Sequence, residues 1–71
     1  MIIIDLTKIL KEKNITSKEL AEAIDITEAN LSILRSGKAK AIRFSTLNAI
    51  CKFLDCNPGD FISYMEGEDE E

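Results

Sequence analysis

The chain has 71 residues, 45% of them apolar and 31% charged, with nine basic and thirteen acidic side chains and a net charge of −4. That is enough for one domain with an economical core, and no apolar run approaches the ~18 residues of a membrane span. There is no histidine and only Cys51 and Cys56 among the thiols, so a zinc site lacks its ligands, the commonest general base is missing, and no enzyme is expected.

Ile2-Ile3-Ile4 is a β-branched run, good strand material and a poor helix start. Three residues do not stand alone as a strand. The only partner in reach of the pattern lies near Phe61-Ile62-Ser63-Tyr64-Met65, so strands at about 2–4 and 62–65 are expected to pair, within the chain or across a dimer. Met1 to Asp5 is too short for a signal peptide and lacks its basic start and cleavage site, which implies a cytoplasmic address. Asp5 is a plausible cap for a first helix over Leu6–Lys13, where Leu6, Ile9 and Leu10 recur at helical spacing and Asn14 is the stop.

Thr16 to Lys38, TSKELAEAIDITEANLSILRSGK, holds two short helical patterns with almost nothing between them. Thr16 and Glu19 form a capping box, and Leu20, Ala21 and Ile24 make one narrow apolar stripe, giving a helix over 17–23. Thr27 is a good cap for the next helix, over 28–36. Leu31 and Leu34 mark its buried side, and Gly37 ends it. A link of only Asp25, Ile26 and Thr27 suits two helices that cross steeply around a small contact residue, Ala21.

A loop follows, with Arg35, Lys38, Lys40 and Arg43 spanning nine residues that contain no acid. Ser45 is the expected cap of a fourth helix, whose Leu47, Ile50, Cys51 and Leu54 fall at i, i+3, i+4 and i+7, the cleanest amphipathic stripe in the chain. Asn57-Pro58-Gly59-Asp60 is a further start signal, for a short fifth helix. Phe44 and Phe53 are expected in the core; Tyr64 either covers the core or sits at a dimer interface. Cys51 and Cys56 are expected as reduced, buried thiols. Residues 66–71, EGEDEE, carry five acids and no base. The division expected is therefore a domain over 1–65 and a disordered acidic tail over 66–71. The body alone is close to neutral, and local patches rather than net charge govern phosphate binding.

The motif resembles the helix-turn-helix of the XRE family, which includes phage Cro and repressor proteins. The matching residues are Leu20-Ala21, Ile24, Ile26-Thr27 and Ser36-Gly37-Lys38. IRFSTLNAICKFLDCNPGDFI resembles the family's following two helices, so the likeness covers roughly Leu6 to Ile62. The resemblance implies an all-α, five-helix lambda-repressor-like domain, here with short terminal strands, that binds double-stranded DNA as a homodimeric transcription regulator. One position departs: Asp25 stands where the family usually has Gly. A left-handed Asp there costs on the order of 1 kcal/mol, which a packed motif absorbs.

With Leu31 and Leu34 inward, Glu28, Ala29, Ser32 and Ile33 face outward and Asn30 flanks them. In the family, positions matching Glu28, Ala29 and Ile33 reach bases. Ala29 and Ile33 suit thymine methyls, Glu28 suits a cytosine amino group, and Asn30 or Ser32 a base or a phosphate. Glu28 equally suits the positive end of its own helix. Phosphate contacts are expected from Thr16, Ser17 and Lys18 at the start of helix 2, and from Ser36, Lys38, Lys40 and Arg43 in the loop. No small-molecule substrate, metal or cofactor is indicated. The absence of Arg, Lys or Gln from the reading set leaves open a protein-interaction module, an antitoxin or adaptor, on the same fold. The acidic tail suits a fold-back onto the basic loop in competition with phosphates.

Overall fold

The structure, a computed structural model, describes residues 1–37 and 39–67. In chain order it holds β1 (Ile2–Ile4), α1 (Leu6–Lys13), α2 (Ser17–Ala23), α3 (Glu28–Arg35), α4 (Phe44–Leu54), a 3₁₀ turn (Pro58–Asp60) and β2 (Ile62–Tyr64). The helix limits follow local chemistry. Asp5 caps α1 by accepting the Thr7 N–H at 3.1 Å. Asn14 ends the helix in the left-handed conformation, at φ 57°, a geometry that Asn tolerates better than most residues. Thr16 and Glu19 close the expected capping box at the head of α2, each bond 3.1 Å long. Thr27 Oγ1 accepts the Asn30 N–H at the head of α3.

The two chain ends pair with each other. β1 and β2 are antiparallel, with Ile2 opposite Tyr64, Ile3 opposite Ser63 and Ile4 opposite Ile62. The Asp5 N–H donates to the Phe61 carbonyl at 2.8 Å, which extends the tie into the first helix. The sheet has only these two strands among the described residues, so its stability comes from packing on the helices.

Every helix sends side chains to one core. Leu6, Leu20, Leu31, Ile50 and Leu54 are fully buried, and Ile9, Leu10, Ala21, Leu34 and Phe61 complete the cluster. Half-buried Leu47, Cys51, Ile24, Ile26, Ile4 and Ile62 pack around it. The stripe on α4 is therefore real, with Ile50 and Leu54 at its centre.

Three expectations fail at the α4 end of the molecule. There are four α-helices among the described residues rather than five. Asn57 and Pro58 do start a turn, and the Asp60 carboxylate accepts the Asn57 N–H at 2.8 Å. The turn stops after one round because Phe61 must enter the core and Ile62 begins the strand pairing. Ser45 is not the α4 cap. The helix starts at Phe44 with Arg43 in the cap position, which offers no side-chain cap bond, and Ser45 lies exposed inside the first turn. Phe44 and Phe53 are not in the core: Phe44 is 88% exposed and Phe53 is exposed as well. Phe44 shares the face of Leu47, Cys51 and Leu54 by its spacing, but the packing on that face begins at Leu47, and Phe44 at the head of the helix stands clear of it. β2 also ends at Tyr64, and α3 at Arg35, each one residue short of the expected limit.

Cys51 and Cys56 are free thiols, each half-buried rather than sealed in the core. They flank the end of α4, where the Cys56 N–H donates to the Cys51 carbonyl at 3.0 Å. Burial, and then the neighbouring Cys51 and Asp60, push the Cys56 thiol up from its ordinary value.

Candidate nucleic-acid interface

The α2–α3 corner sets the geometry of the site. α2 ends at Ala23, and Asp25 takes φ 57°. That left-handed step turns the chain sharply, and the Ile26 N–H then donates back to the Ala21 carbonyl at 3.0 Å. Ala21 itself is buried between the helices. A larger side chain there would push α3 outward, so the small residue and the left-handed Asp together fix the crossing. Below the corner, Ile24 and Ile26 pack against the core from either side of the turn.

This arrangement turns one face of α3 to the core and the other to solvent. Leu31 and Leu34 are buried; Glu28, Ala29, Asn30, Ser32 and Ile33 are all exposed. Ile33 is 48% exposed, an apolar side chain held outward in the middle of that face. The first turn of α3 is capped by Thr27 and carries Glu28 close to its positive end.

The loop after α3 returns along the same side. Gly37 adopts φ 78°, which releases the chain from the helix without side-chain strain. Ser36, Lys40 and Arg43 are exposed; Lys38 lies outside the described residues. The Ser36 hydroxyl donates to the Ile33 carbonyl at 3.1 Å, tying the loop's start to the helix end. An open cleft of ≈ 450 Å³ separates the loop from α3, lined by Asn30 and Ile33 on one side and Lys40 and Arg43 on the other. The cleft thus brings together Asn30 and Ile33 of the expected base-facing residues and Lys40 and Arg43 of the expected phosphate loop; Glu28, Ala29, Ser32 and Ser36 are exposed but do not line it.

The head of α2 contributes differently. Thr16 Oγ1 already accepts the Glu19 N–H. Ser17 Oγ accepts a hydrogen bond from the Arg35 guanidinium at 3.0 Å. Lys18 is exposed. Arg35 is the residue that sequence reasoning missed: it counts toward the basic segment, but only the fold carries it from the end of α3 to the start of α2. Its position four residues after Leu31 was the available signal, because i+4 neighbours share a helix face.

Comparison with known proteins agrees with this geometry. Residues 5–67 match the Cro/C1-type HTH DNA-binding domain family. The chain is 54% identical over 68 residues to YozG of Bacillus subtilis strain 168, an uncharacterised HTH-type transcriptional regulator, covering 96% of this chain and 81% of that one. A crystal structure of a candidate DNA-binding protein from Bacteroides fragilis superposes with a TM-score of 0.78 at 25% identity, covering 89% of this chain and all of that one. The transcriptional regulator VanUg superposes with a TM-score of 0.69, also at 25% identity, over 87% of this chain and 84% of its own. No helix among the described residues is long and apolar enough to cross a membrane. With a capped α2, a left-handed turn at Asp25 and an outward-facing α3, the chain belongs to the Cro/C1-type helix-turn-helix DNA-binding family.

Proposed function

We propose that the chain is a small cytoplasmic transcription regulator that reads duplex DNA as a homodimer, with α3 in the major groove. The observation that carries this reading is the exposed set Glu28, Ala29, Asn30, Ser32 and Ile33 on the outer face of α3, of which Asn30 and Ile33 face Lys40 and Arg43 across an open cleft. Ala29 and Ile33 meet thymine methyl groups, the Glu28 carboxylate accepts from a cytosine amino group, and Asn30 and Ser32 hydrogen-bond bases or flanking phosphates. Lys38, Lys40, Arg43 and Ser36 from the loop, with Thr16, Ser17 and Lys18 at the head of α2, hold the phosphate backbone. Arg35 adds a cation beside Ser17. Residues 1–65 act as the binding domain. The acidic tail competes with phosphates for the basic loop; only Glu66 and Gly67 of that tail are among the described residues.

Electrostatics gives the test. If each subunit neutralises about four phosphates, the slope of log affinity against log salt is roughly −7 for a dimer. Changing Lys40 and Arg43 to Ala should weaken all duplexes alike and flatten that slope by about 1 for each phosphate no longer neutralised. Absence of binding to mixed-sequence duplex at low salt would end the proposal.

A second reading is favoured by one observation, the exposed Ile33 within a set that lacks Arg, Lys and Gln. On that reading the same face docks a protein, and the chain is an antitoxin or adaptor. A pulldown from nuclease-treated extract separates the two. A stoichiometric protein partner together with no duplex affinity would select the second.

A further inference from the structure

The terminal strands carry apolar surface that the core does not use. Ile2 stands opposite Tyr64 and Ile4 opposite Ile62. Opposed residues share a face and alternate residues return to it, so all four lie on one side of the sheet. Ile4 and Ile62 pack on the core. Ile2 and Tyr64, one step further out, are 66% and 70% exposed. Tyr64 therefore does not cover the core. Beside them, β1 and the α3–α4 loop enclose an open groove of ≈ 470 Å³, walled by Ile2, Ile4, Ala39, Ala41 and Ile42, with Lys40 also on its lining. A bulky apolar projection and an apolar recess sit side by side.

We infer that this face joins two copies of the chain, each placing Tyr64 in the groove of the other. The inference deepens the DNA-binding reading, on which it rests for its biological use, by naming the dimer interface. Adjacent projection and recess make the surface self-complementary, as an isologous two-fold contact requires. Charge favours the same occupant. Lys40 lies on the groove, and the chain leaves β2 through Met65 into residues 66–71, five of which are acids. A two-fold that seats Tyr64 in the groove brings the partner's Glu66, two residues on, toward that cation. By the same alternation the face draws on Ile2, Ile4, Ile62 and Tyr64 with residues 39–42, about eight per side against the ~20–30 of a standard interface. The dimer is therefore of micromolar rather than nanomolar strength. The loop that walls the groove follows α3 directly, so joining copies here also sets the separation of the two α3 helices.

Sedimentation equilibrium on the full chain without DNA tests this, from about 1 to 200 μM, the range that brackets a micromolar dissociation constant. The expected result is a monomer–dimer equilibrium that Tyr64→Lys and Ile2→Lys each weaken by at least about 30-fold, the effect of losing an interface anchor. Thermal melting of both variants, at a concentration where sedimentation shows every form monomeric, should match the parent, since each side chain is largely exposed. Ala41→Glu, on the opposite wall and outside the strands, gives the same weakening without touching the sheet. A parent chain that stays monomeric to the highest concentration overturns the inference and leaves the face to a different protein. A dimer indifferent to all three substitutions overturns it too. Duplex binding at low salt is read in parallel. A monomer that still binds DNA refutes only the interface; a dimer that binds none refutes only the DNA reading.

Discussion

Ala21→Leu tests the corner on which the site depends. Ala21 is buried between α2 and α3, and its carbonyl holds the Ile26 N–H at 3.0 Å. Its neighbours in the cluster include Leu20 and Leu31, both fully buried, so no adjacent space accepts three more carbons. Overpacking of this kind costs about 1–3 kcal/mol. For a domain of this size each kcal/mol lowers Tm by about 4–8 °C, so the expected loss lies between about 4 and 24 °C. Ala23→Leu is the control: it sits on the same helix, two residues away, and is exposed. Its effect should stay within about 0.5 kcal/mol. Thermal melting by far-ultraviolet circular dichroism, with urea titration alongside, measures both. If the two variants melt together, Ala21 is not the contact around which the helices cross.

Other predictions concern single positions. Asp25→Gly should raise stability by on the order of 1 kcal/mol, because Asp25 holds φ 57° and glycine does so without the Cβ penalty; a lower melting temperature would show that the turn carries no such strain. Phe44→Ala should change stability by no more than about 0.5 kcal/mol, as befits a side chain 88% exposed. A loss of ~3–5 kcal/mol, the cost at a core phenylalanine, would place Phe44 inside after all. Cys56 should alkylate more slowly in the folded chain than in urea at pH 8, since its thiol is pushed above the ordinary value of 9.0 and less of it is thiolate. The linked stability is fully present below the unfolded pKa and is lost as pH rises through the folded one. Equal alkylation rates would contradict the burial that raises it.

The sequence exposes the corner because its chemistry is local. A capping box at Thr16 and Glu19, a short link and a cap at Thr27 each act within four residues, and α1 and α2 take their expected limits for that reason. The pairing of the chain ends was legible too, since an isolated strand must find a partner and only one segment qualified. The α4 region was harder to read. Phe44 lies on the apolar stripe by spacing, but spacing cannot say where a core ends, and the packing stops at Leu47, one turn short of Phe44. The fifth helix had a sound start signal at Asn57 and Pro58, yet burial of Phe61 and strand pairing at Ile62 cut it to one turn. Both forces act over long sequence separations. Within the site, the outward face of α3 followed from two buried leucines. The bond from Arg35 to Ser17 did not, because it joins residues eighteen apart that only the steep crossing brings together.

The most direct measurement is selection of bound duplexes from a random pool, run with the parent chain and with Glu28→Gln. If α3 lies in the major groove, the parent yields a two-fold symmetric consensus with half-site centres about 34 Å apart. The substitution then alters one base pair in each half-site, because an amide donates where a carboxylate can only accept. A pool that returns no consensus, or a consensus unmoved by changes at Glu28, Ala29 and Ile33 alike, would contradict the account.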